Sequence, residues 1–318
     1  MKNRKIGIFG REDDPEVELL KARVEDLGAE ATIIDLIGFP KVTTGLIAGF
    51  ATGKAVAYDH QDLAQFDAFY LRQMSYFSPL PQTELSAEEW AEQYGRYNDY
   101  IAAEREKASF TESVIEILSE TRPMVNPYRA AFYHKLKPYQ YCVLASRGLP
   151  VPDFRAGNDY FELARFAGEA PSVAKPLVGG FVKRCTPETL AQDRESLRRR
   201  PLMVQQLIAG RALRSFVVGG RLVGTCETVY ADQDVDSRHN VLAMRAFELG
   251  TEDARLPVAA CEALGMLFAG VDMILEEASK RLYILECNPA PFFRNFEVQT
   301  GLALSRELAR YLVEEAAL

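Results

Sequence analysis

Two apolar runs near the C-terminal end, each broken by a single carboxylate, constrain this chain more than any other feature. Tyr283-Ile284-Leu285-Glu286-Cys287-Asn288 reads as a strand that Pro289 and Pro291 stop. Alternate strand residues face one side, so Glu286 and Asn288 present a carboxylate and an amide oxygen the same way. Upstream, Gly270-Val271-Asp272-Met273-Ile274-Leu275 is a second such run, and hairpin pairing would set Asp272 beside Glu286 and Asn288. Three oxygen donors with coordination positions left open suit Mg²⁺ holding nucleotide phosphates.

The rest of the sequence narrows the class. A chain of 318 residues, 48% hydrophobic and 26% charged, can bury the core of a globular enzyme of two or three domains. A net charge of −8 argues against nucleic acid as partner. No apolar run is long enough to span a membrane. The N-terminal Lys2 to Lys5 is basic, but Ile6 to Phe9 is too short for a signal-peptide core. Five scattered cysteines fit neither a zinc spacing nor a disulfide framework, which points to reduced thiols and a cytoplasmic location. His60, His134 and His239 form no pairing with a serine elbow or a cysteine, so nucleophilic hydrolase chemistry has no support.

Strands at Lys5–Phe9, Ala31–Leu36 and Asp67–Leu71 alternate with helical pattern, as in a parallel sheet. Ser86 to Ser119 is a long charged helix. A short strand at Met124-Val125 leads to a helix over Arg129–Arg147, ended by Gly148 and Pro150. Pro152 to Leu207 reads as strand, helix, strand, Gly-rich loop, helix, strand. Gly219-Gly220 joins two apolar runs as a hairpin, Leu256–Leu267 is a helix, and Ala303–Glu314 is a closing amphipathic helix. Boundaries near 120 and 200 follow from pattern alone, and the class is α/β (α+β).

Lys175 ends the strand Ser172–Leu177 just before Gly179-Gly180, where glycines would let backbone N–H groups approach phosphate oxygens. This is not a Walker A loop, and a lysine so placed is more often a solvated strand-end residue. Lys137 precedes Pro138 near the start of the central helix, a position also suited to a surface charge. Gln205, Gln206, Leu207 and Ile208 end an apolar strand that serves either as core or as a hinge reading adenine through its backbone. Arg214, Arg238, Arg245 and Arg294 lie near the proposed cation and supply planar donor forks. Asp232 to Asp236 is no calcium loop, because Ser237 and Ala243 replace its turn glycine and closing glutamate.

Taken in order from Val125 to Leu318, these pieces resemble the ATP-grasp superfamily, and most closely its RimK-type carboxylate–amine ligases. Lys137 ahead of Gly148-Leu149-Pro150-Val151-Pro152 is similar to the first ATP lysine, with Lys135 an alternative. Lys175-Pro176-Leu177 with Gly179-Gly180 resembles the second lysine and phosphate loop. Gln205–Ile208 resembles the adenine hinge, and Arg214 before Ser215-Phe216-Val217-Val218-Gly219-Gly220 an arginine strand of the family. Arg238-His239-Asn240 is similar to a pair that handles the transferring phosphoryl group. Phe268–Asp272 and Glu286–Pro291 resemble the metal-binding segments. Leu136, Ala212, Phe181 and Val182 depart from the residue types usual at their positions. The first third resembles the pre-ATP domain of peptide-modifying ATP-grasp ligases.

The resemblance implies an ATP-grasp fold with a pre-ATP-grasp domain over 1–122, a central domain and small subdomain over 123–200, and a C-terminal subdomain over 201–318. It implies ATP and Mg²⁺ (or Mn²⁺) as cofactors, with Asp272, Glu286 and Asn288 on the metal. It gives catalytic roles to Arg238, Asn240 and Arg214, and makes Arg294 and Arg72 clamps for an acid substrate. The implied reaction is amide formation through an acyl phosphate, between a carboxylate on an amino acid or peptide and an amine acceptor. A homo-oligomer is also implied. The rival reading is a nucleotide-binding module with little catalysis.

Overall fold

The structure is a computed structural model, and it describes residues 4–36, 46–48, 56–72, 86–178, 182–230 and 241–316. The chain divides into two compact units, Met1–Tyr128 with Ala309–Leu318, and Arg129–Leu308.

In the first unit, β1 (Lys5–Phe9), α1 (Pro15–Asp26) and β2 (Glu30–Ile34) make a parallel β–α–β turn. Asp14 caps α1 by accepting from the Glu16 N–H, and Pro15 opens the helix without losing a hydrogen bond. After β3 (Leu46–Ala48), β4 (Val56–Tyr58) and β5 (Gln61–Asp62), a small antiparallel sheet, the chain enters β6 (Ala68–Leu71). The helix α2 (Ala87–Thr121) precedes β7 (Met124–Val125), and the parallel sheet runs β2-β1-β6-β7. Ile6, Ile8, Phe69 and Tyr70 are buried on both faces, as parallel strands require.

The second unit opens with α3 (Tyr128–Ala131, which straddles the boundary) and α4 (Lys137–Ser146). Then come β8 (Phe154–Gly157), α5 (Tyr160–Glu169), β9 (Ser172–Pro176), β10 (Lys183–Cys185), α6 (Pro187–Gln192), α7 (Arg194–Arg199) and β11 (Leu202–Gln206). These strands pair antiparallel in the order β10-β9-β11-β8, with Leu163, Phe166, Leu190 and Leu197 packed behind them. A five-stranded antiparallel sheet follows, ordered β14-β13-β12-β15-β16. Its strands are β12 (Gly210–Val218), β13 (Arg221–Tyr230), β14 (Val241–Phe247), β15 (Phe268–Glu276) and β16 (Leu282–Asn288), with α8 (Arg255–Leu264) inserted before β15. Gly219 and Gly220 both have positive φ, 54° and 73°, and close the β12–β13 hairpin between the paired Val218 and Arg221. Leu213, Val271, Met273, Ile284 and Cys287 pack with Ala260, Cys261 and Leu264 of α8, so one face of this sheet is core. The chain ends with α9 (Arg294–Thr300), α10 (Leu304–Arg310) and further helical turns over Tyr311–Ala316.

β10 and β14 are absent from the sequence reading, and the expected closing helix Ala303–Glu314 divides at Arg310 into two helical forms.

Candidate functional site

The face of the five-stranded sheet opposite α8 is where the charged residues gather. Arg214 on β12 stands opposite Asp272 on β15, and Asp272 stands opposite Glu286 on β16. Opposed residues share a face, so all three side chains rise from the side away from α8. Asn288 follows two residues after Glu286, opposite Gly270. Two carboxylates facing each other across a strand pair repel, and the fold gains nothing from them. Cations compensate both. Arg214 Nε and Nη2 hold Asp272 at 2.5 and 2.8 Å, and Lys137 Nζ lies 3.2 Å from Glu286 Oε2. Arg214 also lies over the Phe296 ring, 5.3 Å from its centroid.

Lys137 is the first residue of α4, which places its ammonium beside β16. Lys135 instead lies over the Phe132 ring. Lys175 comes from the other sheet of the unit, on β9, where β11 pairs with it. Its Nζ donates to Gln205 Oε1 at 2.7 Å. Burial pushes the Lys175 ammonium down to about 8, with Glu286 opposing the shift and Lys137 adding to it. Among the described residues, Lys137, Lys175 and Arg214 thus stand near two carboxylates, Asp272 and Glu286, a balance suited to a polyphosphate.

The hinge segment is partly committed. The Gln206 N–H donates to Asp153 O at 2.9 Å and the Leu207 N–H to Pro171 O at 2.8 Å, while Ile208 is buried. Gln205 serves through its side chain, a role the sequence reading, built on backbone contacts, lacks. That reading also misses Gln140 and Tyr141. Both are buried, and both bond to the backbone of β16. A glutamine and a tyrosine on the buried side of a helix directly after Lys137-Pro138 are the signal that could have exposed them.

Arg245 pairs with Glu227 on the opposite, core-facing side, where Arg211 also holds Glu227 at 2.6 and 2.7 Å. Arg294 is exposed at the first position of α9. Arg72 lies in the first unit, buried, with Nε 2.9 Å from Asp14 Oδ2 and Nη2 3.6 Å from Glu16 Oε2. Its fork neutralises two buried carboxylates of the same unit. Gly179, Gly180, Arg238 and Asn240 lie outside the described residues.

The oxygen donors fit a hard divalent cation. Among the described residues no three His, Cys, Asp or Glu side chains converge. The candidate set is therefore Asp272, Glu286 and the Asn288 amide, whose Oδ1 accepts from the Ala290 N–H at 3.0 Å and keeps a second lone pair.

Two antiparallel sheets with this charged face define an ATP-grasp protein. The chain belongs to the RimK-like ATP-grasp domain family, whose match covers residues 134–312. It is 33% identical over 193 residues to a probable alpha-L-glutamate ligase of Parasynechococcus marenigrum (strain WH8102), covering 57% of this chain and 40% of that protein. It is 29% identical over 190 residues to probable alpha-L-glutamate ligase 1 of Shewanella sp. (strain MR-4), covering 56% and 62%. The matched segment thus spans less than two thirds of either relative. Among solved structures, the ATP-grasp ligase PsnB, complexed with a phosphomimetic variant of its minimal precursor, Mg and ADP, superposes with a TM-score of 0.84 at 25% identity. That superposition covers 99% of both chains. No helix among the described residues is long and apolar enough to cross a membrane.

Proposed function

We propose that the chain is an ATP-dependent carboxylate–amine ligase acting on a peptide. What supports the reaction is one arrangement: Lys137, Lys175 and Arg214 facing Asp272, Glu286 and Asn288 within a RimK-like ATP-grasp domain. What favours a peptide over a free amino acid is coverage. The likeness to the precursor-bound ligase runs the whole chain, N-terminal unit included, whereas that to the glutamate ligases covers little more than half.

Asp272, Glu286 and Asn288 would hold Mg²⁺, which would supply charge neutralisation for the nucleotide's phosphate oxygens. Lys137 and Lys175 hold the α- and β-phosphates, and Arg214 aims the Asp272 carboxylate through two hydrogen bonds. A substrate carboxylate oxygen attacks the γ-phosphorus, and ADP leaves with the electrons of the broken P–O bond. The acceptor amine attacks the acyl carbon, phosphate leaves, and the nitrogen loses a proton. Arg238 and Asn240, on the family resemblance, stabilise the transferring phosphoryl group. The work asked of the protein is positioning and electrostatics, the usual demand of phosphoryl transfer. Five free cysteines, four of them buried, accord with a reducing compartment such as the cytoplasm.

The test is ADP release over a panel of amino acids, dipeptides and Glu- or Asp-bearing peptides, with products identified by mass spectrometry. A dehydrated, amide-linked product from a peptide is expected. Tight ADP binding without product from any member of the panel would replace this reading with the binding-module one.

A further inference from the structure

The strand that carries two of the three oxygen donors is an edge strand, and around Glu286 side chains rather than another strand complete its outer edge. Gln140 is fully buried. Its Nε2 donates to Cys287 O at 3.0 Å, and its Oε1 accepts from the Cys287 N–H at 2.7 Å, so one amide imitates a neighbouring strand. Cys287 lies between Glu286 and Asn288. On the other side of Glu286, the Tyr141 hydroxyl is 2.6 Å from Leu285 O and 2.8 Å from Gln205 Oε1, sharing its one proton between two acceptors. Gln205 Oε1 is also the acceptor for Lys175 Nζ. Two consecutive residues of α4, the helix that Lys137 begins, therefore grip the backbone on both sides of Glu286. Through Gln205 they also reach the second lysine.

We propose that Gln140 and Tyr141 are positioning residues that fix the carboxylate strand relative to Lys175, so that divalent metal and nucleotide bind as a coupled pair. The inference rests on the ATP-binding reading of this face. A backbone carbonyl loses its donor when either side chain is truncated, and the strand's position relaxes by the tenths of an ångström that metal coordination does not tolerate.

The experiment is calorimetric titration of ADP into the full chain, with and without Mg²⁺, in the parent protein and three variants. Gln140→Met removes both amide bonds at nearly constant volume. Tyr141→Phe removes one oxygen and keeps the ring that packs edge-on to Phe154 at 5.1 Å. Leu264→Ala, in the core behind the sheet, is the control for lost stability. In Gln140→Met the strengthening of ADP binding by Mg²⁺ is expected to fall about tenfold, equivalent to ~1.4 kcal/mol, with metal-free affinity within about twofold of the parent. In Tyr141→Phe both quantities weaken. In Leu264→Ala the strengthening is intact although the melting temperature falls. An unchanged Mg²⁺ effect in both site variants, or an equal loss in Leu264→Ala, overturns the proposal. Tyr141→Phe decides it alone if Gln140→Met does not fold. A parent chain that binds no ADP removes the ligase reading, and this inference with it. Identical Mg²⁺ effects in a binding-competent parent and its variants remove this inference only.

Discussion

Asp272 and Glu286 oppose each other across paired strands, each answered by a cation. The ligase reading gives them a functional value, since an apolar pair at that register would serve the sheet better. Glu286→Gln is therefore expected to cost ATP-dependent turnover about 10²-fold or more, roughly 3 kcal/mol of transition-state stabilisation, while the melting temperature stays within a few degrees. ADP-release kinetics beside a thermal scan check both halves, and full activity in this variant defeats the assignment. Lys175 carries a second prediction. Its ammonium, pushed down to about 8 by burial, is neutral above that pH, whereas an unfolded chain keeps the proton to about 10.4. Phosphates favour the charged form, so ADP affinity is expected to fall as pH rises through 8. The unfolded state binds more protons between 8 and 10, so this group makes the nucleotide-free fold more stable across the same window. Opposite slopes in ADP affinity and thermal midpoint are the signature. Lys175→Arg, always charged, should flatten both. The sequence placed this lysine at a strand end beside glycines, and that much was legible. Its burial was not, because burial depends on β9 pairing with β11 and on Gln205 and Tyr141 arriving from elements far along the chain.

Among elements, the β15–β16 hairpin was the most legible, since alternation fixes which residues share a face once two strands are recognised. Its close fit at Gly270 was not. A Cβ there would stand 2.8 Å from Pro291 Cβ and 3.5 Å from Arg214 Cδ. Gly270→Ala is expected to displace the Asn288–Pro291 exit and the Arg214 fork, costing about 1–3 kcal/mol of stability and weakening Mg²⁺-dependent ADP binding. Wild-type values in both assays would show that the hairpin absorbs the methyl. Two strands of the second unit that escaped sequence reading, β10 and β14, lie at sheet edges. β10 is short and charged, and β14 follows a polar stretch without pattern, so neither shows clean alternation. On β13, Glu227 gains from this arrangement. Hydrogen bonding from Arg211, against an opposing burial effect and with help from Arg245, holds its carboxyl down to about 2. A carboxyl lowered in the fold contributes stability above the unfolded value near 4.3, and that contribution is lost as pH falls toward 2. Glu227→Gln should lower stability at pH 7 by on the order of 2 kcal/mol and flatten acid unfolding between pH 5 and 2. Denaturant titrations at a series of pH values read the difference, and parallel curves for the two proteins would count against it.

At the scale of the whole molecule, the alternation of strands and helices made the parallel sheet of the first unit readable, and the turn glycines made the antiparallel second unit readable. What the pattern could not supply was the destination of the chain's end. An amphipathic stretch over Ala303–Glu314 declares that one face is buried, but periodicity does not name the surface that buries it. The residues from Ala309 onward join the first unit, whose strands β1, β2, β6 and β7 come from the other end of the sequence. Leu312 is fully buried, and the turns around it pack on β6. Each unit has its own core, so a cavity in one should loosen that unit first. Leu312→Ala removes a buried side chain at a usual cost of about 2–5 kcal/mol. Limited proteolysis with mass spectrometry is expected to show faster cleavage within 1–128, while ADP, which on the proposed function binds residues of 129–308, still protects the second unit from cleavage. Accelerated cleavage spread evenly over both units, with ADP protection lost, would mean that the two cores unfold as one and that the C-terminal segment is not specific to the first.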